Sequence, residues 1–228
     1  MKIATCSLNY YGQNSIASCK AAGTNVRKAN VDFVGFTEVR SVKMIEGLEQ
    51  GLGAGYNLKG DHKESPIAHK KKGWKLIDFM VKKATDGEAG ITPNLFLVIA
   101  VYQKRSNPKK VIEVIATHLV PLSQDGKKRP DYAHRKKMWD KHWALLKEVV
   151  HDGLALGHSI FVIGDFNNRW AAKSIIKQIH PKAKWIHRKG LDWIFAVEGT
   201  TKIRRLGITR KIKTGSDHGA YWRRVILA

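Results

Sequence analysis

Only two cysteines, Cys6 and Cys19, occur in this 228-residue sequence. Two thiols cannot build a disulfide framework, and both read as buried, inert side chains. No run of about 18 apolar residues appears, which excludes a membrane-spanning helix. The opening stretch from Met1 to Leu8 is too short in apolar length for a signal peptide, so the expectation is a cytoplasmic protein. Internal repeats, linkers and low-complexity tracts are also missing, and residues 1–228 read as a single domain. The last shortage is of negative charge: 19 Asp plus Glu face 41 Lys plus Arg.

What remains is a chain with a core and a strong field. Hydrophobic residues make up 43% and charged residues 26%, a globular rather than a disordered balance. The net charge of +22 draws polyanions to the surface, and phosphate backbones gain further from counterion release. Nucleic acid is the partner this implies; solubility or another anionic surface such as acidic lipid is the plainer alternative. No obligate protein partner is implied. Basic residues cluster at Lys70 to Lys75, Lys104 to Lys110, Lys127 to Lys137 and Lys202 to Lys213, mostly in segments that read as loops. A solvated face explains any one of them; four together favour a polyanion track.

Periodicity predicts a strand at Lys2 to Leu8, a helix from about Ser15 to Lys28 and a strand at Val31 to Val39, an opening that makes parallel neighbours through a crossover. A Gly-rich passage, Gly47 to Gly60, reads as irregular. Lys75 to Val81, Asn94 to Gln103 and Lys110 to Thr117 have the spacing of an antiparallel meander. A long helix runs from about Tyr132 to His151, with Gly153 as its stop. Then follow a strand at Ser159 to Ile163, a short helix at Ala171 to Ile179, and strands at Leu191 to Val197, Lys202 to Ile208 and Ala220 to Leu227. Such irregular interleaving fits an α/β fold of two packed sheets flanked by helices rather than a regularly alternating parallel sheet.

Polar residues break the apolar strands at one end of each: Asn9, Glu38, His118, Asp165, Asn167, Asp192, Asp217 and His218. Strand ends hold side chains rigidly. Carboxylates in this number supply hard oxygen ligands for Mg²⁺ or Mn²⁺, and the histidines supply titratable groups for phosphoryl chemistry. Taken singly, Glu38 is also an ordinary surface acid, Asp165 a turn cap and His118 a core histidine.

The motifs SLNYYG, FTEV, ATHL, IGDFNN, LDWIF and GSDHGAY, which carry these residues, resemble in order and spacing those of the endonuclease/exonuclease/phosphatase superfamily. The resemblance implies a DNase I-like fold: a four-layered sandwich of two mixed β-sheets flanked by helices, with the active site at one edge. It also implies a metal-dependent phosphodiesterase. Carried over by residue, Glu38 would bind the metal, with Asn9 and Asp217 as ligands or phosphate-orienting groups. Asp165 would position or deprotonate the attacking water and Asn167 would hold it. His218, oriented by Asp192, would face the scissile phosphate, and His118 would donate to a non-bridging oxygen.

Two departures narrow the resemblance. Tyr11 stands where the abasic-site endonuclease branch has a carboxylate, and His118 resembles the THL form of the phosphatase, deoxyribonuclease I-like and tyrosyl-DNA phosphodiesterase branches. Both argue against abasic-site repair. The secreted deoxyribonuclease branch is disfavoured by the lack of a signal peptide or disulfide. Arg135, opening the long helix, is a candidate for a substrate phosphate, and Trp170 is the one tryptophan placed to stack a base; the others read as core. The expectation is a nuclease acting on DNA or RNA. Its alternatives are a phosphoesterase of the same fold for phospholipid, inositol phosphate or protein-DNA adducts, and a non-catalytic nucleic-acid-binding module.

Overall fold

The computed structural model describes residues 1–8, 15–60, 63–124, 129–169, 172–214 and 220–228. Twelve strands form two six-stranded sheets. The first runs in the order β11 (Ile203–Ile212), β12 (Ala220–Leu227), β1 (Lys2–Ser7), β2 (Phe33–Thr37), β4 (Ile67–Lys70), β3 (Tyr56–Lys59). The second runs β5 (Trp74–Thr85), β6 (Leu95–Lys104), β7 (Asn107–His118), β8 (Ser159–Asp165), β10 (Asp192–Val197), β9 (Lys184–Lys189). Each is mixed, with one parallel pair, β1 with β2 and β7 with β8. The meander β5–β6–β7 is antiparallel, as its spacing predicts.

Among the described residues three helices cover the outer faces: α1 (Ile16–Lys28), α2 (Val42–Leu52) and α3 (Tyr132–Ala155). Three apolar clusters correspond to the three seams between four layers. Cys19, Ala22, Met44 and Leu48 of α1 and α2 pack on Ala4, Cys6, Val34 and Phe36. Ile3, Phe33, Ala116, Ile163 and Ile194 fill the space between the sheets. Trp139, Trp143 and Leu146 of α3 lie on Leu97, Ile115 and Val162. Alternation along each strand assigns the faces. No helix among the described residues is long and apolar enough to cross a membrane.

Glycine explains where the sequence misleads. The passage from Gly47 contains a helix, α2, because its glycines serve an interhelical crossing rather than a loop. A Cβ on Gly51 would lie 2.2 Å from the Lys20 carbonyl oxygen, and one on Gly47 would lie 2.5 Å from that of Ile16. Ser15 and Ser41 start the two helices by accepting from the backbone N–H groups of Ser18 and Met44. Likewise α3 does not stop at Gly153 but runs on to Ala155. Gly153 instead makes room for the buried Glu113, to which His158 Nδ1 lies 2.9 Å away.

Smaller differences have local causes. Strands β3 and β4 are short and lie within the Gly-rich and Lys-rich stretches, and β9 is a polar edge strand whose register with β10 shifts at Ile194 and Phe195. The helix expected at Ala171 to Ile179 is a single 3-10 turn, Ile175–Gln178. The basic cluster from Lys202 to Lys213 falls on the strand expected to begin there, β11, which runs past Ile208 to Ile212.

Besides His118 at the end of β7, three histidines are buried among the described residues: His142 on α3, His69 on β4 and His187 on β9. Burial pushes the His142 imidazole down to about 3, helped by the charge of His118. It pushes His69, beside Lys59, Lys71 and Arg105, and His187, beside Arg223 and Lys189, down to about 4. Unfolding frees all three to bind protons near pH 6.5. Their contribution is therefore fully present above about pH 6.5 and is lost as pH falls toward 4 and 3. Near pH 5 each ring should add about 1.4 kcal/mol per pH unit to the slope of stability against pH, measurable by denaturant unfolding. His142→Gln should flatten that slope by about one proton; an unchanged slope would show that this ring titrates normally.

Candidate active site

One end of the sandwich changes character. On the inner faces the apolar residues Ile3, Phe33, Ala116, Ile163 and Ile194 give way, two positions nearer that end or four on β2, to polar ones. Thr5 and Ser7 follow on β1, Thr37 on β2, His118 on β7, Asp165 on β8 and Asp192 at the start of β10. The strand register aligns three of them: His118 pairs with Asp165 across β7 and β8, and Asp165 with Asp192 across β8 and β10.

Glu38 comes from the other sheet. Gly35 lets the sheets close, since a Cβ there would lie 3.2 Å from the Cβ atoms of Ala116 and Ile163. Three residues on, Glu38 meets His118 and Asp165, and the ligand atoms of all three lie within 4.8 Å of one another. Residues 47 or more positions apart in the sequence thus converge where the inner faces turn polar.

The backbone is unusual here. Glu38, Glu64 and Asn167 have φ of 64°, 62° and 48°. Non-glycine residues in this left-handed region cost of order 1 kcal/mol or more each, and they cluster where surrounding structure imposes them. Around Asp165 the imposing contacts are clear. Phe166 stacks on Trp193 at 4.6 Å between centroids, and its carbonyl accepts from Trp139 Nε1 at 3.1 Å. With Phe166 fixed, Asp165 Oδ1 accepts the Asn167 N–H at 2.8 Å, and Asn167 Nδ2 donates to Leu119 O at 2.7 Å. That last bond directs the amide, so Asn167 can offer Oδ1 to a water donor.

His118 is held by a partner that no motif flags. Its Nδ1 lies 3.2 Å from Glu64 Oε1, and the same oxygen accepts from Arg40 Nε at 2.6 Å and ion-pairs with Arg40 Nη2 at 2.5 Å. Burial would push the imidazole down, but the Glu64 carboxylate overrides it, with help from Asp165 and Glu38, and holds His118 up at about 9. Burial likewise opposes ionisation of Glu64, and His118 and Arg40 overcome it to keep its carboxyl below the usual range. Arg40 sits two residues after Glu38, a proximity that could have signalled it. Glu64 lies in a loop with no such signal.

These side chains open into a cleft of about 880 Å³ lined by Glu38, Arg40, His118, Asp165 and Asn167 on one side and by the β5–β6 loop, Gly87 to Asn94, on the other. Arg135 builds that far wall. Its guanidinium donates to Gly90 O, Ile91 O and Pro121 O at 3.0–3.2 Å and to Asp131 Oδ2 at 2.8 Å, and the side chain is 3% exposed. The expected role at a substrate phosphate is therefore replaced by one of tying two loops to α3. Asn9, Asp217, His218 and Trp170 lie outside the described residues. Of the other tryptophans, Trp74, Trp139, Trp143, Trp193 and Trp222 are buried.

The donor set fits a hard divalent cation at Glu38 and Asp165, whose oxygens suit Mg²⁺ or Mn²⁺. His118, cationic and tied through Nδ1, fits a phosphate oxygen better than a metal.

No family model and no curated protein matches this sequence. The structure does match others. An endonuclease/exonuclease/phosphatase from Bacteroides vulgatus is 14% identical, with a TM-score of 0.75 over 100% of this chain and 98% of that one. A mannosyl-6-phosphatase from Bacteroides thetaiotaomicron is 12% identical, with a TM-score of 0.66 over 99% of each chain. TDP2 from D. rerio, in complex with a single-stranded DNA product, is 10% identical, with a TM-score of 0.71 over 99% of this chain and 98% of that one. The fold shared with these structures is the DNase I-like α/β sandwich.

Proposed function

We propose that this chain of DNase I-like fold is a divalent-metal-dependent phosphodiesterase, single-domain over residues 1–228, that hydrolyses nucleic acid by water attack on phosphorus. The observation that carries this is the convergence of Glu38, His118 and Asp165 within 4.8 Å at the polar mouth of the sandwich.

A phosphodiester repels nucleophiles through its own charge, so the site must neutralise it as the transition state forms. Mg²⁺ or Mn²⁺ held by Glu38 and Asp165, with Asn9 and Asp217 as further ligands, would supply Lewis-acid charge. His118, kept protonated by Glu64, donates from Nε2 to a non-bridging oxygen. Asp165 accepts the proton of the attacking water, and Asn167 Oδ1 orients that water. Asp192, one strand over, would orient His218, the role the sequence resemblance implies for the pair.

Nucleic acid as substrate is supported by the net charge of +22 and by where that charge lies. Strand β11 exposes Arg204, Arg205, Arg210 and Lys211 along an edge that runs from Ile203, opposite Leu227, to Ile212, opposite Ala220 at the active-site end. The clusters at Lys70 to Lys75 and Lys104 to Lys110 do not contribute, because the strand ends that carry them lie at the far end of the sandwich.

The test is a panel of labelled single-stranded DNA, duplex DNA, RNA, a sugar phosphate and a phospholipid, each with Mg²⁺, Mn²⁺ or a chelator. Cleavage of nucleic acid should require metal and fall steeply with salt. Phosphate release from the sugar phosphate alone would keep the metal site and sink the nuclease. Binding without cleavage in any metal would sink the enzyme.

A further inference from the structure

Four strands end the two sheets, and three are protected against pairing with another chain. Strand β3 has four residues, β9 carries Lys184, Arg188 and Lys189, and β11 carries arginines and a register break between Leu206 and Arg210. Short length, basic side chains and irregularity are the devices that keep sheet edges apart. Strand β5 carries Lys75, Lys82 and Lys83 and two register shifts of its own, but between those shifts it differs in exposing a run of apolar side chains. It is 12 residues long and exposes Ile77 (45%), Phe79 (37%) and Met80 (45%). Beside it on α3 and its end stands Leu156, 74% exposed. Between the register shifts at Leu76/Asp78 and Lys83/Thr85, the segment Asp78 to Lys83 pairs regularly with β6, so its outer edge is straight.

The direction of its outward hydrogen-bonding groups is fixed by one contact. Phe79 N–H donates to the Asp78 carboxylate at 2.8 Å, so it points away from β6, and by alternation so does that of Val81; a partner strand takes over this N–H as the Asp78 carboxylate swings toward a cation. Asp78, Met80 and Lys82 share one face. An antiparallel pairing of two copies about a two-fold axis must place one residue opposite itself. With Met80 there, Asp78 falls opposite Lys82 of the second copy, twice by symmetry, and Phe79 exchanges backbone hydrogen bonds with Val81. Centring on Phe79 instead sets Lys75 against Lys83, and centring on Val81 leaves Asp78 opposite Ala84, without a cation. Lys82 is available for the exchange, because its contacts within the chain, to Glu148 and Asp152, are long at 3.4 and 4.0 Å.

We propose that this protein forms a two-fold dimer through β5, the strands of two copies pairing antiparallel about Met80 so that Asp78 of each meets Lys82 of the other. The interface is isologous and joins two six-stranded sheets into one.

Sedimentation velocity across the micromolar range should show a reversible monomer–dimer equilibrium. Asp78→Lys should weaken the dimer about ten-fold, since two attractive cross-strand pairs become repulsive, and Asp78→Lys with Lys82→Asp should restore it. Val81→Pro should abolish the dimer without removing a β5–β6 hydrogen bond, while circular dichroism and thermal unfolding stay close to wild type. If that variant fails to fold, the charge pair decides. A wild type that stays monomeric throughout, or binds only a foreign strand, overturns the proposal; so does a dimer indifferent to the charge reversal or not rescued by the double change.

Discussion

Asp165→Asn should lower turnover on a metal-dependent substrate by about three orders of magnitude while leaving the fold intact. The asymmetry follows from the contacts. The amide keeps an oxygen to accept the Asn167 N–H, so the turn after β8 survives, with Phe166 still stacked on Trp193 and met edge-on by Trp143. What the amide lacks is basicity toward water and the charge that a divalent cation needs. Steady-state kinetics with a thermal melt alongside would separate the two. Near wild-type turnover in a folded Asp165→Asn protein would remove Asp165 from the chemistry.

The second large effect is on stability. Alanine is worth about 1 kcal/mol more than glycine inside a helix, yet Gly51→Ala should destabilise by about 3 kcal/mol and lower the midpoint of thermal unfolding by roughly 6 to 12 °C. Packing decides the sign. The new methyl would meet the Lys20 carbonyl at 2.2 Å and the Thr24 nitrogen at 2.8 Å, backbone atoms that cannot rotate away. Gly55, with nothing within 4 Å of its would-be Cβ, is the control and should tolerate alanine within about 0.5 kcal/mol. Equal melting of both variants would mean that α1 and α2 cross less closely than described.

The same glycines show why part of the fold was illegible in the sequence. A glycine that permits a left-handed turn and one that permits two helices to touch look alike in one dimension, so Gly47, Gly51 and Gly153 read as breaks where they are contacts. Strands with clean apolar runs, β2, β6, β7 and β8, were legible because burial on both faces leaves little room for other residues. The strand-end residues Glu38, His118, Asp165 and Asn167 were legible as polar interruptions of those runs. Glu64 was not, since its role comes from a loop that the β2–β4 pairing carries to His118 and Arg40. Arg135 was legible as functional in type and not in target: a basic residue beside a phosphate-like site reads the same from sequence whether it faces solvent or backbone carbonyls.

The Arg135 staple divides the cleft into parts with different freedom to change. One wall is made of strand ends whose register runs through both sheets, so its side chains cannot move without the sandwich moving. The other, Gly87 to Asn94 with Pro121, is held to α3 chiefly through carbonyl oxygens, groups every residue type carries. Apart from Gly87, where a Cβ would lie 2.7 Å from Asn94 N, and Gly90 at φ 74°, its side chains can therefore be exchanged while the guanidinium keeps the same grip. Such a wall is a removable faceplate: the strand-end residues stay with the sheets, and the shape of the cleft changes by rewriting a loop.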